Sequence, residues 1–365
     1  MAMDAQRLSR AATLAQGELG RSVVALNPDW RHEAETKNEN ARIFGVKNTN
    51  GIPLQLFERM RQSPDYLWLT VDKMASLGRS VDTDLVNPLT YRPMTGSTSG
   101  GAVNILKGAI DLCLGTDGGG SVLAPALAAS LPAFMGNGIG LRGRQGRSTD
   151  GLPFVTGLGV IGCTLDMVLD AAELLYGASI QNGDCAHTIP VAIPAPGCMP
   201  LPGGGDCAET LHTYLEKLSA GNIEWDWQEI QYDNPYARTA LTHQLQQLMC
   251  EEPKRLYLSL EGPIDVLSAD ETIPRSFAGN APQIVAGIPS KAFVKAANPC
   301  GCSGFALPCD RLATGFVLLA PPGSEMLPAA CSLARQLMQA APRPEMFDRY
   351  FVRRENTAKR FSCKN

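Results

Sequence analysis

A serine that follows three consecutive glycines is the feature of this sequence that most directly suggests chemistry. Between Thr95 and Pro125 the chain reads TGSTSGGAVNILKGAIDLCLGTDGGGSVLAP, and the glycine run ends at Ser121. Glycine adopts backbone conformations closed to other residues, so several N–H groups of such a run can point at one spot. The N–H groups of Gly118, Gly119 and Gly120 could therefore form an oxyanion hole for a serine nucleophile. A flexible connection between two elements is the alternative interpretation.

The nucleophile would need a base, since a serine hydroxyl is a weak nucleophile at neutral pH. None of the four histidines stands in a motif for catalysis or metal binding. A lysine can act as the base when burial lowers its pKa from about 10.4 toward neutrality. The sequence therefore favours a Ser-Lys type of hydrolase over a Ser-His type.

The strings G-S-T-S-G-G and G-T-D-G-G-G-S resemble, in order and separation, the signature of the amidase signature family, G-G-S-S-G-G followed by G-T-D-T-G-G-S. The resemblance implies a Ser-Ser-Lys triad in which Ser121 is the nucleophile. It assigns the relay hydroxyl, which in the family has a cis peptide bond, to Thr98. The extra methyl group of a threonine crowds such a site, and the interval to Ser121 is one residue shorter than usual. Ser97 and Ser99 therefore stay open as alternative relays.

The same resemblance identifies Lys47 as the base. The family has its lysine in G-x-x-V-K-D, and here the string ARIFGVKNTNGIPL has an apolar strand that ends at Lys47, with Asn48 in place of the aspartate. Lys73 is the competing candidate, but its surroundings match a later, structural segment of the family. Leu123 stands where the family has an arginine after the nucleophile, so one polar contact around the loop is expected to be absent.

The resemblance extends from about Ala41 to Leu337 and implies a single α/β domain, with a mixed central β-sheet flanked by helices. Locally, the pattern predicts a helix over Ala102 to Lys107 and a buried strand over Ile110 to Leu114. Compared with the family, the span between Lys47 and Thr98 and the region from about Glu209 to Ala292 are short, so the resemblance implies a shortened and divergent member. The expected segments are an N-terminal helical segment (1–40), a catalytic core (41–177), a divergent substrate-side region (178–295) and closing strands with a helix (296–340).

The composition is that of an ordinary globular protein. The chain has 365 residues, a net charge of −4 and 44% hydrophobic residues, with no basic block that would attract nucleic acid or an anionic membrane. We expect a cytoplasmic protein, because no signal peptide or run of about 18 apolar residues is present. The eleven cysteines are expected to be reduced thiols. The sequence is compatible with a homodimer and does not define the oligomeric state.

We expect no metal and no organic cofactor. Cys300, Cys302 and Cys309 form the tightest cysteine group, but they lack the paired spacing of a zinc site. The string G-L-G-V-I-G from Gly157 to Gly162 matches a dinucleotide fingerprint formally, without the acidic residue and the βαβ context that the fingerprint requires.

These observations predict hydrolysis of a carboxamide bond in a small molecule through an acyl-enzyme on Ser121. Two alternatives stay open. Because Thr98, Asn48 and Leu123 all depart from the family pattern, the chain could be a noncatalytic descendant that binds a ligand. The same site could also transfer ammonia or the acyl group to an acceptor other than water, as amidotransferase subunits of the family do.

Overall fold

Most apolar runs of the sequence become strands of one large sheet. The computed structural model describes residues 3–147, 153–219, 221–267 and 288–354. In chain order, the strands are β1 (Val23–Leu26), β2 (Arg42–Lys47), β3 (Tyr66–Asp72), β4 (Val81–Val86), β5 (Pro93–Thr95), β6 (Leu112–Asp117), β7 (Ala133–Met135), β8 (Arg142–Arg147), β9 (Pro153–Gly162), β10 (Thr188–Pro194), β11 (Glu224–Ile230), β12 (Leu256–Glu261), β13 (Ser303–Pro308) and β14 (Gly315–Ala320).

Helices connect many of these strands. The α-helices of the described residues are α1 (Ala5–Gly17), α2 (Trp30–Ala34), α3 (Leu54–Gln62), α4 (Ser99–Lys107), α5 (Leu123–Ala128), α6 (Leu165–Tyr176), α7 (Cys207–Leu215), α8 (Arg238–Glu251), α9 (Phe293–Ala296), α10 (Leu327–Ala340) and α11 (Glu345–Phe347). None of the helices in these ranges is long and apolar enough to cross a bilayer.

The central sheet is mixed and has 12 strands. Its order is β1-β3-β2-β6-β9-β7-β13-β14-β12-β10-β11, with β8 paired to β9, while β4 and β5 form a separate two-stranded sheet. The pairs β2–β3, β2–β6, β10–β11 and β10–β12 are parallel, and the other pairs of the sheet are antiparallel. Helices pack against it along its length: α4 contacts β2, β3 and β6, α6 contacts β7 and β9, and α10 contacts β13 and β14. The predicted fold class is therefore confirmed.

Two predicted segments differ in detail. The N-terminal 1–40 segment is not only helical, because β1 pairs with β3 at the edge of the sheet. The divergent region 178–295 contributes β10, β11 and β12 to the sheet, and its residues 268–287 lie outside the described part of the chain. The closing segment contains β13, β14 and α10, which is the predicted order of strand, strand and helix.

The topology brings the candidate residues to one edge of the sheet. Because β2 and β6 are parallel neighbours, with Val46 opposite Leu114, their carboxyl ends lie side by side. Lys47 ends β2, and Asp117 ends β6 directly before the glycine run. Helix α4 begins at Ser99, so the serine and threonine string enters the same edge.

Candidate active site

Lys47 lies at the end of a strand that is buried on both faces, and its amine is enclosed by hydroxyl and carbonyl groups. The residue is 2% exposed. Its Nζ donates to Ser97 Oγ at 2.7 Å, and to the carbonyl oxygen and Oγ1 of Thr116 at 3.0 Å each. These contacts use the three hydrogens of an ammonium group and fix the direction of the amine.

Burial is the main influence on the charge of this amine. It lowers the pKa of Lys47 to about 8, although the Asp117 carboxyl and the Cys113 thiol nearby act in the opposite direction. Low-dielectric surroundings penalise the charged form of a lysine, which explains the direction. With a pKa of about 8, about one amine in ten is neutral at pH 7 and able to accept a proton.

The hydroxyl in contact with Lys47 belongs to Ser97, whereas the sequence favoured Thr98 as the relay. The Thr98 side chain instead turns toward β6, where Gly115 has no side chain and leaves it room: a Cβ there would lie 2.7 Å from Thr98 Oγ1. Its hydroxyl is buried without a hydrogen-bond partner among the described residues. In the part of the chain that the structure describes, the cis peptide bond joins Gly262 and Pro263. The peptide bonds on either side of Thr98 are therefore trans.

Ser99, the other alternative relay, is held by an ion pair away from the amine. Its Oγ donates to Asp82 Oδ2 at 2.6 Å, and Lys73 Nζ lies 2.6 Å from the second oxygen of the same carboxylate. Lys73, the competing base, is thus paired with Asp82. The structure therefore brings Ser97 to Lys47, and it directs Thr98 and Ser99 to other neighbours.

Asp117 organises the loop that carries the candidate nucleophile. Its carboxylate accepts hydrogen bonds from the N–H groups of Gly120 and Val122 at 2.6 Å each, and from that of Leu123 at 3.3 Å. Burial raises the pKa of Asp117, and these three N–H groups oppose that rise. The assignment of Gly120 to the oxyanion hole is corrected here, because its N–H already donates to a carboxylate.

The same loop contains other backbone donors. No acceptor among the described residues contacts the N–H groups of Gly118, Gly119 or Ser121. The carbonyl of Ser121 accepts from the Thr98 N–H at 3.1 Å, which fastens the nucleophile loop beside the segment that carries Ser97. Ser121 itself is half-buried and can be reached from solvent.

Two asparagines that the sequence analysis missed support this loop from behind. Asn298 Nδ2 donates to the carbonyls of Gly118 at 3.3 Å and Val155 at 3.0 Å. Asn137 Nδ2 in turn donates to Asn298 Oδ1 at 2.8 Å. These residues are 161 positions apart in the chain, so no local pattern could have joined them. Thr116 was also missed, although it stands inside the G-T-D-G-G-G-S string.

An open cleft of about 390 Å³ lies beside the loop. Gly118 and Phe154 form part of its wall, and the Phe154 ring packs on the Gly118 backbone, where a Cβ would meet the ring at 2.5 Å. Arg142 and Arg238 line the cleft as well. Gly118 is the residue of the glycine run that lines this cleft.

The residues considered for cofactor or metal binding have other positions. Gly157 to Gly162 lie inside β9, an antiparallel strand, and not in a loop that opens a helix. Among the described ranges, no group of three or more His, Cys, Asp or Glu side chains is arranged around a metal position. Cys302 and Cys309 are buried and donate to backbone carbonyls.

Comparison with known proteins gives matches among solved structures alone. No family profile and no curated sequence matches the chain. An amidase superposes with a TM-score of 0.58 at 15% identity, over 92% of this chain and 95% of that chain. A 6-aminohexanoate cyclic dimer hydrolase gives 0.63 at 14%, over 93% and 94%. Kluyveromyces lactis allophanate hydrolase gives 0.64 at 13%, over 92% and 70%.

The chain therefore has the fold of these enzymes. The superpositions with the amidase and the cyclic dimer hydrolase cover nearly the whole of both chains. This extent gives no support to the expectation that the chain is a shortened member.

Proposed function

We propose that this protein hydrolyses a carboxamide bond, with Ser121 as the nucleophile, Ser97 as the relay hydroxyl and Lys47 as the base. The observation that carries the proposal is the 2.7 Å contact between Lys47 Nζ and Ser97 Oγ, made by an amine that is buried and has a lowered pKa. A buried neutral amine beside a hydroxyl is the arrangement that activates serine in Ser-Lys hydrolases.

In the first half of the reaction, neutral Lys47 takes the proton of the Ser97 hydroxyl while Ser97 takes that of Ser121. The Ser121 oxygen attacks the amide carbonyl, and the N–H groups of Gly118 and Gly119 stabilise the oxyanion that forms. Collapse of the tetrahedral intermediate breaks the C–N bond. The departing amine receives the proton from Lys47 through Ser97, which leaves an ester on Ser121.

In the second half, water replaces the amine. The relay accepts a proton from water as its oxygen attacks the ester, and the proton then returns to Ser121. The products are the carboxylic acid and the free enzyme, so one amide and one water give one acid and one amine. No step of this sequence requires a metal or an organic cofactor.

The likeness to the amidase, the cyclic dimer hydrolase and the allophanate hydrolase supports this proposal at the level of the fold. The Asp117 carboxylate supports it at the level of the loop, because its bonds to Gly120 and Val122 hold the glycine run in one conformation. Preorganised donors stabilise an oxyanion without reorganisation during the reaction, which makes such a loop effective.

The direct test is labelling with a fluorophosphonate, which reacts with activated serines, followed by peptide mass spectrometry. We expect the label on Ser121 and none on Ser121→Ala. Lys47→Met should be labelled at least about 100-fold more slowly, because it lacks the base. Ser99→Ala is the matched control and should be labelled like the wild type, since Ser99 bonds to Asp82.

Release of ammonia from a panel of small carboxamides extends the test to the reaction itself. Two results would overturn the proposal: folded wild-type protein that takes up no label and releases no ammonia, or labelling that persists in Ser121→Ala. Transfer in place of hydrolysis would appear as a hydroxamate product when hydroxylamine is present.

A further inference from the structure

Three consecutive peptide units of the glycine run each have a hydrogen-bond partner that fixes their direction. The carbonyl of Gly118 accepts from Asn298 Nδ2 at 3.3 Å, the N–H of Gly120 donates to Asp117, and the Gly120 carbonyl accepts from the Ala124 N–H at 2.9 Å. Asp117 and Ala124 belong to the same stretch of chain as the run, whereas Asn298 lies 180 positions away from Gly118. The first peptide unit is therefore controlled by a distant side chain.

The bond from Asn298 fixes a donor as well as the carbonyl that it contacts. The peptide bond between Gly118 and Gly119 is trans, since the cis peptide bond of the described residues lies elsewhere. In a planar trans peptide, the C=O and the N–H that follows it point in opposite directions. The Gly119 N–H therefore points away from Asn298, and no acceptor in the described part of the chain contacts it.

The amide of Asn298 has one orientation that satisfies its neighbours. Its Nδ2 faces two carbonyl acceptors, those of Gly118 and of Val155 at 3.0 Å, and its Oδ1 accepts from Asn137 Nδ2 at 2.8 Å. A flipped amide would place its oxygen against two carbonyls and its nitrogen against a donor. Asn298 is 2% exposed, so bulk water does not compete for these bonds.

The segment that carries Asn298 is itself held by a buried carboxylate. Glu261 is 1% exposed and accepts the N–H of Phe293, the first residue of α9, at 2.6 Å. Val294 of the same helix packs on the glycine run, because a Cβ on Gly120 would lie 2.7 Å from Val294 Cγ1. The segment thus contacts the run at two points, by packing and through the Asn298 amide. A fixed segment gives this amide a fixed position.

From these contacts we infer that Asn298 is a positioning residue for the proposed amide hydrolysis: it acts through the Gly118–Gly119 peptide and orients the Gly119 N–H toward the oxyanion. The inference rests on the proposed function and adds a residue to it. Both amide hydrogens of Asn298 are used by backbone carbonyls, so its effect passes through the peptide. Loss of one oxyanion donor commonly costs about 100- to 1,000-fold in rate, and a donor that is present but misdirected should cost part of that factor.

Labelling kinetics with the fluorophosphonate test this role in Asn298→Ala and Asn298→Asp. Both variants lose the donor, and the aspartate keeps the size of the side chain. We expect the maximal rate constant of labelling to fall about 10- to 100-fold in each. The reagent concentration that gives half the maximal rate should stay the same, and so should the rise of the rate with pH up to about 8, because the contact between Lys47 and Ser97 is untouched. A general loosening of the site would change both quantities.

Asn27→Ala is the matched control. Asn27 is 1% exposed, and its Nδ2 donates to a backbone carbonyl, that of Trp68, at 3.0 Å beside the edge strand β1. This variant should lose stability in urea denaturation, as Asn298→Ala does, and keep the labelling rate of the wild type. Unchanged rate constants in both Asn298 variants, or an equal loss in Asn27→Ala, would overturn the inference.

Crystal structures of the wild type and of either Asn298 variant measure the peptide directly, whether or not the protein takes up label. We expect the Gly118–Gly119 peptide to rotate in Asn298→Asp, since its wild-type orientation would place a carbonyl against a carboxylate. The wild-type orientation in both variants would overturn the inference. A peptide that rotates, in a protein whose wild type takes up no label, would remove the proposed hydrolysis and leave Asn298 as the residue that orients this peptide.

Discussion

At the residue scale, Lys47 is held by hydrogen bonds and destabilised by its surroundings. Burial lowers its pKa from 10.5 to about 8, so the charged amine costs free energy in the folded state. The three acceptors within 3.0 Å of the amine offset part of this cost. If Lys47 is the base proposed above, this loss of stability accompanies the supply of a neutral amine.

This cost predicts how stability depends on pH. Between pH 8 and 10.5 the unfolded chain binds more protons at Lys47 than the folded chain does. The unfolding free energy of the wild type should therefore rise with pH in that window, relative to Lys47→Met, by about 3 kcal/mol in total. Below about pH 8 the difference between the two proteins should be constant.

Urea denaturation of both proteins from pH 6 to about 10.5 checks this prediction, because other titrating groups cancel in the difference. A difference that stays flat across the window, or falls as the pH rises, would mean that the Lys47 amine is not desolvated as described.

At the element scale, the loop after β6 depends on one carboxylate. Asp117→Ala would leave the N–H groups of Gly120, Val122 and Leu123 without their acceptor in a buried place. We expect a loss of unfolding free energy of about 2 kcal/mol, since unsatisfied buried donors cost that much. Acylation of Ser121 should slow by about 100-fold or more, because the oxyanion donors are no longer fixed.

Asp226→Ala is the matched control for this experiment, as Asp226 is an exposed strand residue. It should keep both stability and acylation rate. Rapid acylation by a folded Asp117→Ala protein would show that the loop holds its conformation without the carboxylate.

The contact between α4 and β6 gives a second prediction at this scale. A Cβ on Gly115 would lie 2.7 Å from both Oγ1 and Cγ2 of Thr98, so Gly115→Ala should cost about 1 to 3 kcal/mol of stability by overpacking. Thr98→Ala removes both atoms, and the double variant should recover most of the loss. Gly17→Ala, where nothing lies within 4 Å, is the control.

Urea denaturation of the two single variants and the double variant measures the coupling directly. Independent, additive losses would show that the Thr98 side chain does not occupy the space above Gly115.

The sequence predicted an element where its pattern is local, and missed its bounds where a residue is chosen by a neighbour distant in the chain. The apolar strand that ends at Lys47 was predictable, because its pattern is local. Helix α4 was predicted from Ala102 but begins at Ser99. Gly100 does not break the helix: it lets the helix approach the Lys73 backbone, which would lie 2.6 Å from a Cβ. Such a reason for glycine is invisible before the fold is known.

The hydroxyl that contacts Lys47 shows the same limit within the candidate site. The sequence offered three adjacent hydroxyls, and the choice among them depends on how the chain enters α4. Asp82 and Lys73 hold Ser99, the space above Gly115 takes Thr98, and Ser97 is left facing Lys47. Strand β6 was predicted over Ile110 to Leu114 but runs to Asp117, because pairing with β9 extends over polar residues.

At the scale of the whole molecule, one buried carboxylate joins both ends of the described chain. Asp111, just before β6, accepts a hydrogen bond from Arg7 of α1 and from the Ile43 N–H at 2.8 Å, and Arg354 lies 3.6 Å from its other oxygen. The network lies just before β6, five residues before Thr116 at the candidate site. It therefore stabilises the fold without contacting the site.

We expect Asp111→Ala to lower the unfolding free energy by about 3 kcal/mol, because it leaves two arginines without their shared partner. The acylation rate of the remaining folded protein should stay close to that of the wild type. Asp184→Ala, at an exposed position, should change neither quantity. Denaturation curves give the stability of each variant, and labelling rates are compared at a temperature where each variant is folded. A large loss of labelling rate in folded Asp111→Ala would link this network to the site.

The proposed reaction depends on proton transfer from Ser121 through Ser97 to Lys47. Its most direct test is the rate of Ser121 acylation by a fluorophosphonate as a function of pH, in the wild type, Ser97→Ala and Thr98→Val. The wild-type rate should rise with pH and level off above about 8, where the amine is neutral. Ser97→Ala should be slower by about 100-fold or more, and Thr98→Val should keep most of the rate. An acylation rate that is independent of pH around 8 would contradict the proposed proton transfer. So would loss of acylation in Thr98→Val together with a normal rate in Ser97→Ala.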